Sequence, residues 1–201
     1  MIKLFAFLGN YEPQYENTRH NAGFFCADHL SCLSNTLWQQ KFLGSYTKLV
    51  LPDEKNYIHC IKPYTYMNAS GNSILQVMNF FKIQPEQLLV FHDELQLPTA
   101  SISLKYGGGL AGHNGLRSIF SKLGTQNFWR VRIGIDRPTN KNIDIADYVL
   151  SKFTDTEYEY FFSMINDLDK LVLEICNAHT DEQLHNLIQY WAKVKPTLDK
   201  K

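Results

Sequence analysis

The chain has 201 residues, of which 44% are hydrophobic and 13% aromatic, enough to close one sizeable core. Twenty basic residues balance twenty acidic ones, which excludes a globally basic nucleic-acid-binding protein. The four cysteines lack the spacing of a zinc site or a disulfide framework, and no stretch approaches the roughly 20 apolar residues of a membrane span. We therefore expect a single cytoplasmic domain over residues 1–201, with no membrane contact.

Strands and helices alternate along the chain. Apolar runs and helical spacing predict a buried strand, a helix, a β-hairpin, a second helix and three further strands, with a short helix ending at Leu123 before the last strand. The first strand covers residues 2–8, the first helix 21–33, the two strands of the hairpin 46–51 and 57–62, and the second helix 73–82. The three further strands cover residues 88–93, 101–106 and 129–135. The hairpin is expected to turn through residues 52–56.

Two helices close the chain. Thr154 and Thr180 are each followed three residues later by Glu or Gln, which is capping-box spacing, so a helix should begin directly after each threonine. We expect this pair, over about residues 155–193, to pack on the rest of the domain. The alternation as a whole predicts an α/β fold with a twisted, mixed but largely parallel sheet flanked by helices, in which the hairpin is the antiparallel part.

The charges are unevenly distributed. Residues 101–150 contain seven Lys and Arg but three Asp and Glu, whereas residues 151–192 contain two and eight. This asymmetry would allow a polyanion to bind one side of the molecule, although ordinary solvated surface explains it equally well.

Polar side chains follow the predicted strands, at the sheet edge where sites form in α/β proteins. They are Asn10, Asn68, Asp93 and Asn114. His20 lies at the helix start that follows the first strand, and its imidazole could take a proton from water if Asp93 held its tautomer. For His20 alone, a satisfied side chain at a helix start is the simpler interpretation. The three asparagines favour a site, because amides suit a substrate with peptide groups or ribose hydroxyls.

The glycine-rich loop offers a competing interpretation. Residues 107–112 match G-x-G-x-x-G, and Asp136 ends the next strand, as in dinucleotide-binding proteins. The half-polar strand before the loop and the short helix after it argue against that function. We interpret the segment as a flexible loop that covers a site and presents Asn114, with Lys105 and Arg117 available for phosphate.

A catalytic metal is the other alternative. His20, His92, Asp93 and His113 could in principle bind zinc. His92 and Asp93 are adjacent on a strand, so they should point to opposite faces, and no paired ligand spacing is present. We therefore predict no metal site.

Four ordered motifs carry a family resemblance. They are "FLGN" with "TRHNAGF" near the start, "KPYTYMNASGNS" at 62–73, "HDELQLP" at 92–98, and "LKYGGGLAGHNGLRSIFSKLGTQNFWRVRIGIDRP" at 104–138. Together they resemble bacterial peptidyl-tRNA hydrolase. The resemblance implies a monomeric carboxylic ester hydrolase, without cofactor, that cleaves the ester between a peptide and the 3′-terminal ribose of tRNA and so recycles tRNA from abandoned translation.

The resemblance also implies a role for each site residue. The catalytic set would be His20 as base, Asp93 as its orienting carboxylate and Asn10 beside the reacting water and ribose. Asn68 and Asn114 would hold the peptide main chain, and Tyr15, Tyr66 and Met67 would line the cleft. Lys105 and Arg132 would clamp the tRNA 5′-phosphate. The partner is thus peptidyl-tRNA, bound through its acceptor end and 5′-phosphate.

Several residues depart from the pattern of the family. Tyr11 and Glu12 replace the usual Pro-Gly, Ala111 stands where glycine is common, and Asp136 replaces a usual glycine beside the basic residues. The alternative to the hydrolase is a catalytically inactive RNA-binding protein on the same fold. Retention of His20, Asp93 and the three asparagines favours the enzyme.

Overall fold

A seven-stranded β-sheet forms the centre of the protein in the computed structural model, which describes residues 1–51 and 56–192. The strands are β1 (Leu4–Phe7), β2 (Gln39–Lys41), β3 (Gly44–Val50), β4 (Tyr57–Pro63), β5 (Leu88–Glu94), β6 (Ile102–Tyr106) and β7 (Trp129–Gly134). The α-helices within the described residues are α1 (Ala22–His29), α2 (Ser70–Phe81), α3 (Asn114–Leu123), α4 (Ile145–Leu150), α5 (Asp155–Asn177) and α6 (Asp181–Tyr190). The strand order is β2-β3-β4-β1-β5-β7-β6.

The middle of the sheet is parallel. β1 pairs in parallel with β4 and β5, and β5 pairs in parallel with β7, so the carboxyl ends of these four strands share one edge. The antiparallel hairpin of β3 and β4 is present, although residues 52–55 of its turn lie outside the described residues. The mixed, largely parallel sheet predicted from the alternation is therefore confirmed.

The direction of β6 differs from expectation. β6 is antiparallel to β7, with Ile102 opposite Ile133 and Tyr106 opposite Trp129, so it runs away from the edge at which β5 ends. Asn114 was expected at that edge on the assumption that β6 points towards it. Residues 107–113 instead carry the chain back, and α3 begins beside the ends of β1 and β5. The predicted location of Asn114 is correct, but the reason given for it is wrong.

Alternating side chains of the central strands fill two cores. Phe5, Phe7 and Phe91 point to one face, where they belong to the same cluster as apolar residues of α1, α5 and α6. Leu4 and Val90 point to the other face, in a cluster with residues of α2 and α3. Because side chains of a strand alternate between faces, strands buried on both sides read as continuous apolar runs.

Short elements account for most of the other differences. The first helix ends at His29 because Leu30 takes an extended conformation, with ψ of 123°, and the chain continues as a 3-10 turn. β2 was not predicted because its three residues are polar and exposed, so no apolar alternation marks it. α4 was also not predicted, since six residues are too few for a clear helical period.

The C-terminal helices begin where their capping boxes predicted. The hydroxyls of Thr154 and Thr180 accept hydrogen bonds from the backbone N–H three residues on, and both reciprocal side-chain bonds are present. Residue 193, the expected end of the pair, lies outside the described residues. Over residues 1–51 and 56–192, no helix combines the length and apolar character that crossing a bilayer requires.

Candidate active site

A cavity of about 480 Å³ opens at the edge where the parallel strands end. Its walls come from the ends of β1, β4 and β5, the start of α3, and α4. Eight residues predicted for the site line it: Asn10, Tyr15, His20, Tyr66, Met67, Asn68, Asp93 and Asn114. Residues up to 104 positions apart in the sequence are therefore brought together. Most of them follow the parallel strands β1, β4 and β5, whereas Asn114 reaches the same edge through residues 107–113, which follow the antiparallel β6.

His20 and Asp93 form a buried pair. His20 Nδ1 lies 2.9 Å from Asp93 Oδ1, and the side chains are 9% and 3% exposed. Gly23 allows this approach, because a Cβ atom there would lie 2.5 Å from the carbonyl oxygens of Leu8 and Phe91. The start of α1 therefore packs directly against the ends of β1 and β5, and His20 reaches the carboxylate at the end of β5.

His113 is a second partner of the same carboxylate, and its bond to Asp93 was not predicted. Its Nε2 lies 2.8 Å from Asp93 Oδ1, while its Nδ1 accepts hydrogen bonds from the backbone N–H groups of Gly115 and Leu116 at the start of α3. Since Nδ1 is an acceptor, the proton is assigned to Nε2, which donates to Asp93. The sequence signals were the position of His113 directly before a helix start and its place among the candidate metal ligands.

The same reasoning assigns the tautomer of His20. An ionised Asp93 can only accept, so His20 Nδ1 carries the proton that it donates, and Nε2 of the neutral ring keeps a free lone pair. This is the protonation state that a general base requires.

The charges in the cluster shift its pKa values. Burial favours a neutral Asp93, but His20 and His113 outweigh it and hold the pKa of this carboxyl well below its usual range. Burial likewise opposes charge on His20, but the attraction and hydrogen bond of Asp93 raise its pKa above 6.5. The pKa of neighbouring His92 is far below 6.5, because the ring is buried and lies beside His113.

Asn10 is held by three hydrogen bonds. Its backbone N–H donates to Asn21 Oδ1 at 2.8 Å, and its carbonyl accepts from Asn21 Nδ2 at 3.0 Å. Its own Oδ1 accepts from the backbone N–H of Met67 at 2.8 Å. Because the oxygen is engaged, the Nδ2 donor is the part of the amide left for a ligand. Asn21 is thus a supporting residue that sequence reasoning missed, and it holds Asn10 in place next to the unusual Tyr11-Glu12 pair.

The other two asparagines belong to the rim. Asn68 and Asn114 line the cavity but are exposed, in contrast to the buried Asn10. Asn114 is the first residue of α3, so its position depends on the His113 cap that precedes it. The rim therefore offers the amide groups of Asn68 and Asn114 to a ligand.

Lys105 and Arg132, predicted to bind phosphate, are not among the residues that line the cavity. Arg132 pairs with Glu94, whose Oε2 lies 3.0 Å from both its Nε and its Nη2. Lys105 passes beside Gly108, where a Cβ atom would lie 2.7 Å from Lys105 Nζ and where φ is +90°, so glycine is required there. These two cations belong to β6 and β7, beyond the side of the cavity formed by β5.

Arg130 is a further cation on this side, and no role was predicted for it. It is buried, and its guanidinium donates at 2.7 Å to the carbonyls of Gly108 and Gly109. Burial lowers the pKa of Arg130 to about 10, so it stays charged at neutral pH. The glycine loop is therefore bound to the sheet through Arg130.

His20, Asp93 and His113 are also close enough to share a metal ion, since their ligand atoms lie within 4.8 Å of one another. A metal bound there would replace the two hydrogen bonds to Asp93. His92 and Asp93 both line the cavity at the end of β5, so their alternate positions on the strand do not separate either residue from the site. His92 remains outside the group of three, and its Nδ1 donates to the carbonyl of Asp93.

Comparison with known proteins places this arrangement in a family. The model of the family described as peptidyl-tRNA hydrolase matches residues 4–196. The chain belongs to the peptidyl-tRNA hydrolase family. The peptidyl-tRNA hydrolase of Dichelobacter nodosus is 39% identical over 189 residues, covering 92% of this chain and 97% of its relative. That of Treponema pallidum is 45% identical over 161 residues, with 80% of each chain covered.

The folds agree as well. The crystal structure of peptidyl-tRNA hydrolase from Acinetobacter baumannii has a TM-score of 0.82 and 33% identity, and the match covers 98% of this chain and 97% of that one. Within this peptidyl-tRNA hydrolase fold, Ala111 and Asp136 both have left-handed backbones, with φ of 49° and 56°. Glycine favours that conformation, which accounts for the glycines expected there from the resemblance.

Proposed function

We propose that this chain hydrolyses the ester bond between a peptide, or an N-blocked amino acid, and the 3′-terminal ribose of tRNA. The observation that carries the proposal is the buried His20–Asp93 pair in an open cavity edged by Asn10, Asn68 and Asn114. Membership in the peptidyl-tRNA hydrolase family supports the same reaction. We further propose that residues 1–201 act as one monomeric domain in the cytoplasm, where translation leaves such esters to be cleaved.

The reaction begins with water. His20 Nε2 removes a proton from the water molecule while the water oxygen attacks the ester carbonyl carbon. The ring becomes an imidazolium, and Asp93 stabilises that charge across the 2.9 Å contact. The intermediate then collapses, the ribose oxygen leaves, and His20 returns the proton to it. The products are a free peptide carboxylic acid and tRNA with a free 3′ end.

The asparagine side chains would bind the substrate and take no part in the proton transfer. The Nδ2 donor of Asn10 would bind the ribose or the reacting water, since its oxygen is held by Met67 N–H. Asn68 and Asn114 would bind peptide main-chain groups and the developing oxyanion. Tyr15 and Tyr66 would provide apolar wall for the terminal base or for peptide side chains.

Cations of β6 and β7 would receive the tRNA 5′-phosphate. Lys105 would contribute a full charge, whereas the charge of Arg132 is partly offset by Glu94. Replacing Lys105 by Ala should therefore weaken tRNA binding more than replacing Arg132 by Ala. The slope of the logarithm of the dissociation constant against the logarithm of the salt concentration should fall by about one. An unchanged salt slope for both variants would contradict the clamp.

The deciding experiment measures release of N-acetylaminoacyl groups from charged tRNA by wild-type protein and by His20→Ala, in the presence of a chelator. Unblocked aminoacyl-tRNA serves as the control substrate. We expect release of only the blocked substrate and its loss in His20→Ala, with tRNA affinity nearly unchanged. Binding of tRNA without any release would favour the RNA-binding alternative, and activity that the chelator abolishes would require a metal.

A further inference from the structure

Three exposed tyrosines form an aromatic surface beside the cavity. The rings of Tyr11 and Tyr64 are stacked, with centroids 5.8 Å apart and planes at 22°, and the ring of Tyr66 lies 5.9 Å from that of Tyr11. Each of the three is between 39% and 49% exposed. Glu12 accepts a hydrogen bond from the Tyr66 hydroxyl, and we call Tyr11, Glu12, Tyr64 and Tyr66 the tyrosine shelf. Clustered exposed aromatic rings are typical of binding surfaces.

The shelf is continuous with the cavity. Tyr66 lines the cavity itself and directly precedes Met67. Tyr11 directly follows Asn10, and the bond from Met67 N–H to Asn10 Oδ1 joins the two stretches of chain. A ligand that passes Asn10 and Tyr66 on leaving the cavity therefore meets the shelf.

The position of the shelf indicates which half of the substrate it meets. It follows the ends of β1 and β4, whereas Lys105 and Arg132 belong to β6 and β7 on the other side of β5. Under the proposed function the tRNA approaches from the β6–β7 side, because its phosphates require those cations. The peptide half of the substrate then leaves across β1 and β4.

The charge of the shelf supports the same direction. Its one ionisable carboxyl is Glu12, and none of its four residues is a cation. Glu12 Oε1 accepts from Tyr66 and Oε2 accepts from Gln14 Nε2 at 2.8 Å, so both oxygens act as acceptors. The carboxylate of Glu12 repels an RNA backbone but attracts a cationic side chain, which also binds favourably over tyrosine rings.

We propose that the tyrosine shelf binds a Lys or Arg side chain of the peptide, one or two residues before the esterified residue, and so makes basic peptides the better substrates. This inference rests on the proposed function and adds a preference among its peptides. The aromatic faces of Tyr11 and Tyr64 contact the side-chain stem, and Glu12 pairs with its charge.

The test compares N-acetylated tripeptidyl-tRNAs that share one tRNA and an esterified alanine. The two preceding residues are both Lys, both Ser or both Glu, and N-acetylalanyl-tRNA is the substrate too short to reach the shelf. For wild-type protein we expect kcat/KM to fall in the order Lys, Ser, Glu, with roughly a tenfold range that narrows as salt rises.

Two variants remove the shelf by different means. Glu12→Gln should reduce the Lys-to-Glu ratio several-fold, and Tyr11→Ser combined with Tyr64→Ser should lower kcat/KM for the Lys substrate. Neither should change kcat/KM for N-acetylalanyl-tRNA. Tyr57→Ser is the matched control, because Tyr57 is 41% exposed at the opposite end of β4 and should leave the preference unchanged.

The outcomes separate this inference from the proposed function. Release of N-acetylalanyl groups that depends on His20, without preference among the tripeptides, would overturn the shelf and leave the function standing. Equal losses for all substrates in the shelf variants would also overturn it, since they would indicate that the shelf binds the tRNA end. Failure to release any blocked group would overturn both proposals.

Discussion

Arg19 and His20 follow one another in the chain, and each binds a carboxylate from a distant element. Arg19 is bidentate on Glu157 of α5, with Nε to Oε1 at 3.0 Å and Nη2 to Oε2 at 2.6 Å. His20 binds Asp93 at the end of β5 through a single hydrogen bond. Both pairs are largely buried, with side chains 16% exposed or less.

The difference lies in whether the cation can lose its proton. A guanidinium does not act as a proton donor in proteins, so the pair of Arg19 with Glu157 serves structure. Arg19 also donates to the carbonyl of Ser151 and lies over the ring of Tyr148, which ties α4, a wall of the cavity, to the start of α1. The imidazole of His20 can gain and lose a proton, and Asp93 raises its pKa, so this pair has two states, as the proposed proton transfer requires.

Replacing Asp93 by Asn tests the reactive pair and should have the largest effect. Loss of the negative charge leaves the imidazolium of His20 unstabilised, so we expect kcat to fall by about 10²- to 10⁴-fold. The rate is measured by single-turnover release of N-acetylaminoacyl groups from tRNA. The affinity for tRNA, measured for both proteins, is the control.

The pH profile sharpens the same test. Under the proposed mechanism neutral His20 is the active form, and Asp93 raises its pKa, so wild-type activity should fall as pH drops through a value above 6.5. In Asp93→Asn burial acts alone and lowers the pKa of His20, so the residual activity should persist below pH 6.5. An acid limb at the same pH in both proteins would be evidence against His20 as the base.

Replacing Arg19 by Met tests the structural pair. Glu157 would be left without its partner, and we expect the free energy of unfolding to fall by about 3 kcal/mol, measured by urea denaturation. Lys170→Met is the matched control, because Lys170 forms an exposed ion pair with Asp167 on the same helix and should cost at most about 0.5 kcal/mol. Equal effects of the two substitutions would contradict a structural role for Arg19.

Acid should reduce the difference in stability between wild-type protein and Arg19→Met. Burial opposes charge on Glu157, but Arg19 and the Thr154 cap lower the pKa of this carboxyl below 4.5. A lowered pKa contributes stability above the unfolded value, and this contribution is lost as pH falls through the folded one. Wild-type protein and Arg19→Met should therefore converge in stability as pH drops below about 4.5.

Replacing His113 by Asn separates two functions of one side chain. Asn caps helices well but is too short to reach Asp93, so α3 should keep its cap while the bond to the carboxylate is lost. We expect kcat to fall about tenfold, the equivalent of one charge-assisted hydrogen bond. Unchanged kcat with normal stability would mean that two partners on Asp93 are not needed.

Replacing Thr154 by Ala is the mildest test. Its hydroxyl accepts from Glu157 N–H and donates to Glu157 Oε2, so the cap also orients the partner of Arg19. We expect a loss of about 1 kcal/mol, as for other N-caps. Thr180→Ala removes the same motif from α6, where no arginine is involved, and should cost less. A larger loss of stability in Thr180→Ala than in Thr154→Ala would mean that the Thr154 cap does not support the Arg19–Glu157 pair.

The sequence by itself determined the α/β alternation, both C-terminal capping boxes, and the group of polar residues that lines the cavity. These inferences hold because they depend on local spacing and on one general rule, that parallel strands end at a common edge. The same rule misjudged β6, since strand direction depends on pairing with β7 and leaves no local signal.

The sequence analysis expected His20 to meet Asp93, but only the tertiary structure decided which other groups meet. Asp93 is 73 residues from His20 and 20 from His113, and Arg19 is 138 from Glu157. The sequence suggested a base and a carboxylate, but the second histidine on Asp93, the support of Asn10 by Asn21 and the stacked tyrosines depend on how distant segments pack. Hydrogen bonds and ring contacts act over a few ångströms in space, whatever the separation along the chain, so local spacing in the sequence does not specify these partners.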